Sequence, residues 1–253
     1  PFKLQTICGP RRRIGQEIGK LARPRMAAYL AQSPVWAALR PWRGHAYLDE
    51  LAGCVQRALP SVWEEFEGLA EGLRMPLPDV LLWHCRGDLL HSAPEGCTSI
   101  AWHGTDGTRW IGHNEDGDPY LYGRCLLLDV RPDDAPGYVA FAYPGSLPGH
   151  TFGANRAGLV QVINNLRTRR RHAGVPRMFL ARAVLDCATL DQALAVLQSH
   201  PRAGGFHHLL GAAREPRGAA LVFAICSSEK SASCMRAPPL AEKHTRGLRC
   251  SMQ

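Results

Sequence analysis

Two spacings of hydrophobic residues divide the chain. From Ile14 to about His91, apolar positions recur at helical intervals: Ile14, Ile18 and Leu21, then Leu51, Val55 and Leu59. That period belongs to helices with one buried face. Pro60-Ser61 predicts a further helix start, with Ser61 as N-cap and Glu64 three residues on in a capping-box arrangement. This helix runs through Val62, Phe66 and Leu69 and stops at Gly72, and Pro78-Asp79 opens a short one through Leu81, Leu82 and Leu90. The first third therefore reads as an α-helical segment.

After Cys97 the pattern changes to short runs bounded by Gly, Pro or Asp, which predict strands. These are Ile100 to Trp102, Trp110 to His113, Cys125 to Val130 and Tyr138 to Tyr143, with a Gly-containing turn from Gly104 to Gly107 between the first two. Leu159 to Asn164 is another strand, preceded by the turn-prone stretch Gly153 to Gly158. Two helices follow, Pro176 to Ala188 and Asp191 to Gln198, the second with Thr189 as N-cap. Strands resume at Phe206 to Ala212 and Ala219 to Ile225, joined by the turn Arg214 to Gly218. Strands, two helices and strands again suit a layered α+β sandwich. From about Ser227 the chain is rich in Ser, Lys, Arg and Pro without either period, and reads as a disordered, truncated tail.

Composition narrows the picture only in part. At 253 residues the chain can bury a proper core as one large domain or two small ones, and 45% hydrophobic with 21% charged residues is ordinary for a globular protein. No apolar run approaches the roughly 20 residues of a membrane span, and the basic stretch Pro1 to Arg13 has no apolar stretch after it, so no secretory signal is evident. Nine scattered cysteines contain no CxxC pair, which argues against a zinc ribbon or a disulfide framework and for a reducing, cytoplasmic setting. The net charge of +8 raises the question of nucleic acid. The basic residues, however, concentrate at Arg11 to Arg13, Arg167 to Arg171 and the tail, with no interleaved aromatics, so nucleic acid is not the expected partner. The same charge suits small anionic ligands such as coenzyme A phosphates.

Candidate chemistry centres on Gly96-Cys97-Thr98-Ser99, followed by Gly112-His113-Asn114-Glu115-Asp116. A cysteine thiol is only a few per cent ionised at neutral pH and needs a base to act as a nucleophile. An isolated cysteine is far more often a small buried hydrophobe, so the motif around Cys97 has to carry the argument. His207-His208 and His84-Cys85 have no partners at ligand spacing, and neither a metal nor a cofactor is expected.

Several pieces stand in an informative order: Gly15-Gln16-Glu17-Ile18-Gly19, Gly96-Cys97-Thr98, Gly112 to Asp116, Asn155 to Asn165, and Gly174-Val175-Pro176-Arg177. Together they resemble the acyl-coenzyme A:6-aminopenicillanic acid acyltransferase family (cysteine peptidase family C45), within the N-terminal-nucleophile hydrolases. The resemblance covers roughly Ile14 to Ile225. It implies a four-layer αββα sandwich preceded by a helical pro-segment, with segments 1–96, 97–226 and a tail 227–253. It also implies self-cleavage between Gly96 and Cys97, the two pieces staying associated. Gly96 suits such a cut because a strained peptide needs a permissive backbone. The freed α-amino group, with a pKa near 8 before perturbation, would then serve Cys97 as base.

By the same resemblance Asp116 sits near the new amino terminus and orients Cys97. Asn165 donates to the oxyanion, with Asn164 as competitor because strand alternation lets only one face the site. Arg177 either binds a substrate carboxylate or simply begins a helix. The implied reaction is acyl transfer or hydrolysis of a linear amide or acyl thioester. One departure stands out. The family's late Asn, in a His-Thr-Asn-His-like strand, has as its nearest counterpart His244-Thr245-Arg246, where Arg replaces Asn. An inert relative that stays uncut and binds a ligand is the alternative reading.

Overall fold

A computed structural model describes residues 2–90, 96–106, 108–166, 171–213 and 219–221. The chain opens with a strand, β1 (Leu4–Gly9), inside a stretch whose basic residues mask its apolar ones. Helices α1 (Arg11–Leu30), α2 (Pro34–Leu39), α3 (Ala46–Ala58), α4 (Pro60–Leu73), α5 (Leu77–His84) and α6 (Arg86–Leu89) follow. After them come strands β2 (Gly96–His103), β3 (Arg109–Asp116), β4 (Leu126–Pro132), β5 (Tyr138–Ala142), β6 (Phe152–Asn155) and β7 (Leu159–Leu166). Helices α7 (Arg177–Val184) and α8 (Leu190–Gln198), then strands β8 (Gly205–Ala212) and β9 (Ala219–Leu221), complete the described elements.

Seven of these strands form one sheet in the order β1-β4-β5-β6-β7-β8-β9, and β2 with β3 makes a separate antiparallel hairpin. β1 pairs with β4 in parallel, so the N-terminal segment is part of the main sheet. One face of the sheet carries helices. Buried Gln161 of β7 donates to the carbonyl of Ala181 in α7 at 2.7 Å, and Asn155 of β6 donates to the carbonyls of Leu185 and Cys187 just beyond it. The hairpin covers part of the opposite face, with Ile111 of β3 over Gly211 of β8 and His113 against the Phe152 ring at 5.9 Å. The mixed α+β architecture thus agrees with the sequence.

Ile14, Ile18, Ala22 and Met26 give α1 its buried stripe. Its crossing with α4 is a backbone-to-backbone contact, because Gly15 and Gly19 face Gly68 and Gly72. A Cβ on Gly15 would come within 1.9 Å of the Glu65 carbonyl oxygen, and one on Gly68 within 2.0 Å of that of Arg12. Beside this crossing a buried ion network joins three helices. Arg182 of α7 grips Glu65 of α4 through Nε at 2.8 Å and through a second nitrogen at 2.6 Å, and reaches Asp186 at 2.9 Å. Arg11 of α1 completes it against Asp186 at 2.9 Å.

Several local expectations change: the helix expected from Pro78 to Leu90 starts at Leu77 and breaks at Cys85, and the one expected to Ala188 ends at Val184. Helix α4 begins at Pro60 with Leu59 as N-cap and no side-chain cap, so Ser61 lies inside the first turn and the capping box does not form. Proline at the first helical position needs no donor there, which moves the start two residues earlier. The helix does not stop at Gly72. It ends at Leu73, with Arg74 in the left-handed conformation at φ 56°, while Gly72 serves the helix crossing. The first part of the expected turn at 153–158 is strand β6. By contrast Thr189 caps α8 as expected, in a capping box with Gln192.

None of the described cysteines is in a disulfide. No helix among the described residues is long and apolar enough to cross a membrane. The turn 214–218, the basic residues 167–170, the remainder of the last expected strand (222–225) and the tail with its His244-Thr245-Arg246 motif lie outside the described residues.

Candidate active site

The hairpin turn decides which residues enter the site. The backbone N–H of Gly104 donates to the Thr108 carbonyl at 2.8 Å, and the ladder below pairs Cys97 with Glu115 and Gly96 with Asp116. Residues on alternate positions of a strand face opposite sides. Cys97, Ser99, His113 and Glu115 therefore face the seven-stranded sheet, while Ile100, Trp102 and Trp110 point outward, 54%, 50% and 63% exposed.

The inward residues form a continuous hydrogen-bonded chain. Cys97 Sγ donates to Glu115 Oε2 at 3.5 Å, and Tyr143, just beyond β5, donates its hydroxyl to the other carboxylate oxygen, Oε1. Glu115 Oε2 also meets His113 Nε2 at 2.9 Å, and His113 Nδ1 meets Ser99 Oγ at 3.0 Å. Ser99 donates to Asn164 Oδ1, and Asn164 Nδ2 donates to the backbone carbonyl of Cys97 at 2.5 Å. That last bond fixes the orientation of the Asn164 amide. With the Ser99 proton committed to Asn164, His113 Nδ1 must be the donor to Ser99. The other ring nitrogen, Nε2, is the one that faces Glu115 Oε2.

A cleft opens beside Cys97, lined also by Arg86, Tyr143, His150, Asn165 and Arg177. Its helical wall is rigid for clear reasons. His84 Nδ1 is bonded to the Val80 carbonyl at 2.8 Å, and Nε2 accepts the Leu147 N–H at 2.9 Å. Burial pushes the His84 pKa down to about 3, so the ring stays neutral and ties α5 to the loop after β5. Burial and nearby Arg86 likewise hold His150 well below the usual histidine range. Arg86 lies on the Trp83 ring at 4.1 Å from its centroid. Asp88 is buried between Arg86 and Arg177. Burial raises its pKa to about 6, and the two guanidinium groups oppose the rise.

The site thus combines a thiol, a carboxylate in contact with it, side-chain amides and a glycine on the acyl side of the cysteine. A family model for acyl-coenzyme A:6-aminopenicillanic acid acyl-transferase matches residues 102–236, from within β2 onward. The chain belongs to this family. It is also similar to a beta-alanyl-dopamine/carcinine hydrolase of Drosophila melanogaster, 27% identical over 201 residues, which is 70% of this chain and 49% of the relative. The chain spans about half the length of this curated relative.

Of the residues expected from the sequence, Cys97, Asn165 and Arg177 line one cleft. Both asparagines of β7 reach the site region, Asn164 at the Cys97 backbone and Asn165 in the cleft wall. Arg177 does begin α7, but it is buried rather than solvated. Its guanidinium donates to the Leu166 and Gly205 carbonyls at 2.9 and 3.2 Å and lies over the Phe206 ring. Asp116 is exposed on the outer face of the hairpin, where it accepts from Asn114 Nδ2 at 2.5 Å. Gly96 sits opposite it. Sequence reasoning did not single out Glu115, His113, Ser99 or Tyr143 as site residues. Alternation along β3 was the available signal for the first two, once the register was known. His208 is buried, and burial pushes its pKa down to about 3.

Proposed function

We propose that the chain is a self-processing enzyme whose Cys97, once exposed as an N-terminal residue, carries acyl groups from a linear amide or acyl thioester. The observation that carries this reading is the Gly96-Cys97 peptide at the start of β2, with the thiol turned inward onto Glu115. In the first step Cys97 Sγ attacks the Gly96 carbonyl carbon, and the thiol proton passes to Glu115. The Gly96–Cys97 C–N bond then breaks, the departing nitrogen takes up a proton, and Gly96 is left as a thioester on the sulfur. Water hydrolyses that thioester, giving a Gly96 carboxylate and a Cys97 bearing both thiol and α-amino group. The freed amine, ordinarily near pKa 8, then acts as base in turnover. Asn165 in the cleft wall is the proposed oxyanion donor, and Asp116 and Glu115 are the two candidates for orienting the new terminus. Arg177 is proposed to support the cleft and, by its charge, to favour anionic groups there.

Family membership supports acyl chemistry of either kind, and the Drosophila relative, named as a beta-alanyl-dopamine/carcinine hydrolase, supports amide hydrolysis. Acyl transfer from coenzyme A thioesters remains the second chemistry open to the same acyl-enzyme. The exposed apolar face of the hairpin supports a further layer there, as in a four-layer sandwich. The pro-segment 1–96, staying bound after the cut, fits the pairing of β1 into the main sheet. The six described cysteines, none in a disulfide, suit a reducing, cytoplasmic setting.

Intact-mass spectrometry of the purified chain under denaturing conditions tests the reading. Two fragments meeting between Gly96 and Cys97, absent in Cys97→Ala, are the expected result. A single uncut chain that also fails to hydrolyse beta-alanyl amides favours the inert relative.

A further inference from the structure

We propose that Cys97, His113 and Glu115 form a zinc-binding site that captures the nucleophilic sulfur. Their ligand atoms all lie within 4.8 Å of one another, although no metal-ligand spacing is visible along the chain and none was expected. A tetrahedral Zn²⁺ with ordinary bonds to sulfur, nitrogen and oxygen sets its ligand atoms about 3.3 to 3.6 Å apart. The Cys97 Sγ to Glu115 Oε2 distance of 3.5 Å already meets this. His113 Nε2 and Glu115 Oε2 stand 2.9 Å apart, so this contact has to open by about half an ångström to admit an ion.

The surroundings match what a metal site needs. Metal-bound histidines usually donate their other nitrogen to a fixed partner, and ligating carboxylates are themselves hydrogen-bonded. Here His113 Nδ1 is held by Ser99 Oγ at 3.0 Å, and Glu115 Oε1 by the Tyr143 hydroxyl. His113 and Glu115 are 4% and 15% exposed, so two of the three donors are shielded from competing water. A thiol with imidazole selects a borderline-soft ion over Mg²⁺ or Ca²⁺. Binding displaces the Cys97 thiol proton to solvent, so affinity increases with pH. Zinc engages a lone pair of the thiolate that attack on a carbonyl would use, so bound zinc slows that attack. Resting on the self-cleavage reading, zinc and acyl chemistry then compete for one atom. All three ligands follow residue 96, so the site exists in cut and uncut chains alike.

The test is titration of the full chain with Co²⁺ as spectroscopic probe, followed by displacement with Zn²⁺. One equivalent is expected, with a thiolate-to-cobalt charge-transfer band. The band should vanish in Cys97→Ser, affinity should fall at least about 100-fold in His113→Gln and Glu115→Gln, and about 10-fold in Ser99→Ala. X-ray absorption of the zinc-loaded wild type keeps the proposal falsifiable if a variant does not fold: one sulfur ligand supports it, and two or more overturn it. Absence of a band in the wild type, or a band unchanged in Cys97→Ser, also overturns it. Binding here in a chain that never cuts supports the site while removing the self-cleavage reading. Cleavage at an undiminished rate with the site loaded overturns the competition.

Discussion

Glu115 lies directly across the hairpin from Cys97, and its carboxylate accepts a hydrogen bond from the thiol at 3.5 Å. Asp116, one residue on, faces solvent. Removing the proton acceptor should therefore matter more than removing the exposed acid. Glu115→Gln is expected to slow self-cleavage by about 10² to 10⁴-fold, the usual range for a positioned acid or base. Asp116→Asn should change it by less than about tenfold. Band intensities from timed denaturing gels of freshly translated chain would read both. The reverse ranking would restore Asp116 as the working carboxylate.

The two asparagines of β7 should separate by step. Asn164 holds the Cys97 backbone through its carbonyl, whereas Asn165 lines the cleft that a substrate would occupy. Asn164→Ala is expected to impair the cut itself, with little left to assay. Asn165→Ala should still cut, yet lose about 10² to 10³-fold in kcat with KM nearly unchanged, as for loss of an oxyanion donor. Steady-state hydrolysis of a beta-alanyl amide by the processed chains would check this. Equal losses at both steps for both variants would remove the distinction.

The difference between Asp116 and Glu115 shows what the sequence makes legible. Apolar spacing is enough to place α1, β2, β3, β7 and α8, because each has a clear period and boundary residues. Strand β1 is hidden among charges, and β6 is only Phe152–Asn155, within a Gly- and Asn-rich stretch that reads as a turn. The register of the hairpin is harder to see than its strands. A turn ending at Gly107 would place Asn114 opposite Cys97 and turn Asp116 inward. The observed closure of Gly104 on Thr108 is one residue longer and presents Glu115 instead. A one-residue slip exchanges the faces of a strand, and turn length is what local composition specifies least.

The glycines of α1 and α4 give a stability prediction independent of chemistry. A methyl group at Gly68 would meet the Arg12 carbonyl at 2.0 Å, which neither backbone can relieve without separating the helices. Gly68→Ala is expected to cost about 3 kcal/mol or more, at the upper end of overpacking effects. For a chain of this size that lowers Tm by roughly 6 to 12 °C. Gly44→Ala is the control for surroundings: nothing lies near it, although its φ of 73° adds some strain. Its expected loss is about 1 kcal/mol. Differential scanning calorimetry would rank the two, and equal losses would mean that the α1–α4 crossing is loose.

Acid should destabilise the fold, even though one buried group works in the opposite sense. His84 and His208 have pKa values pushed down to about 3 by burial, and His150 is lowered as well. In the unfolded chain each takes a proton below about pH 6.5, so between about 6.5 and 3 the unfolded state binds more protons. Stability then rises with pH across this window and is lost as pH falls. Asp88 does the reverse. Its pKa of about 6 when folded lies above the ordinary 3.8, so the folded state holds the extra proton and gains stability as pH drops through 6. That gain is roughly 3 kcal/mol, against roughly 5 kcal/mol lost for each of His84 and His208, so the histidines decide the sign. Tm measured from pH 7.5 down to 4.5 should fall steadily. His84→Gln, which keeps a donor for Val80 and an acceptor for Leu147 but cannot titrate, should flatten the fall, and Asp88→Asn should steepen it. A Tm that climbs between pH 7 and 5 would mean that Asp88 outweighs the histidines and that the buried rings are already charged.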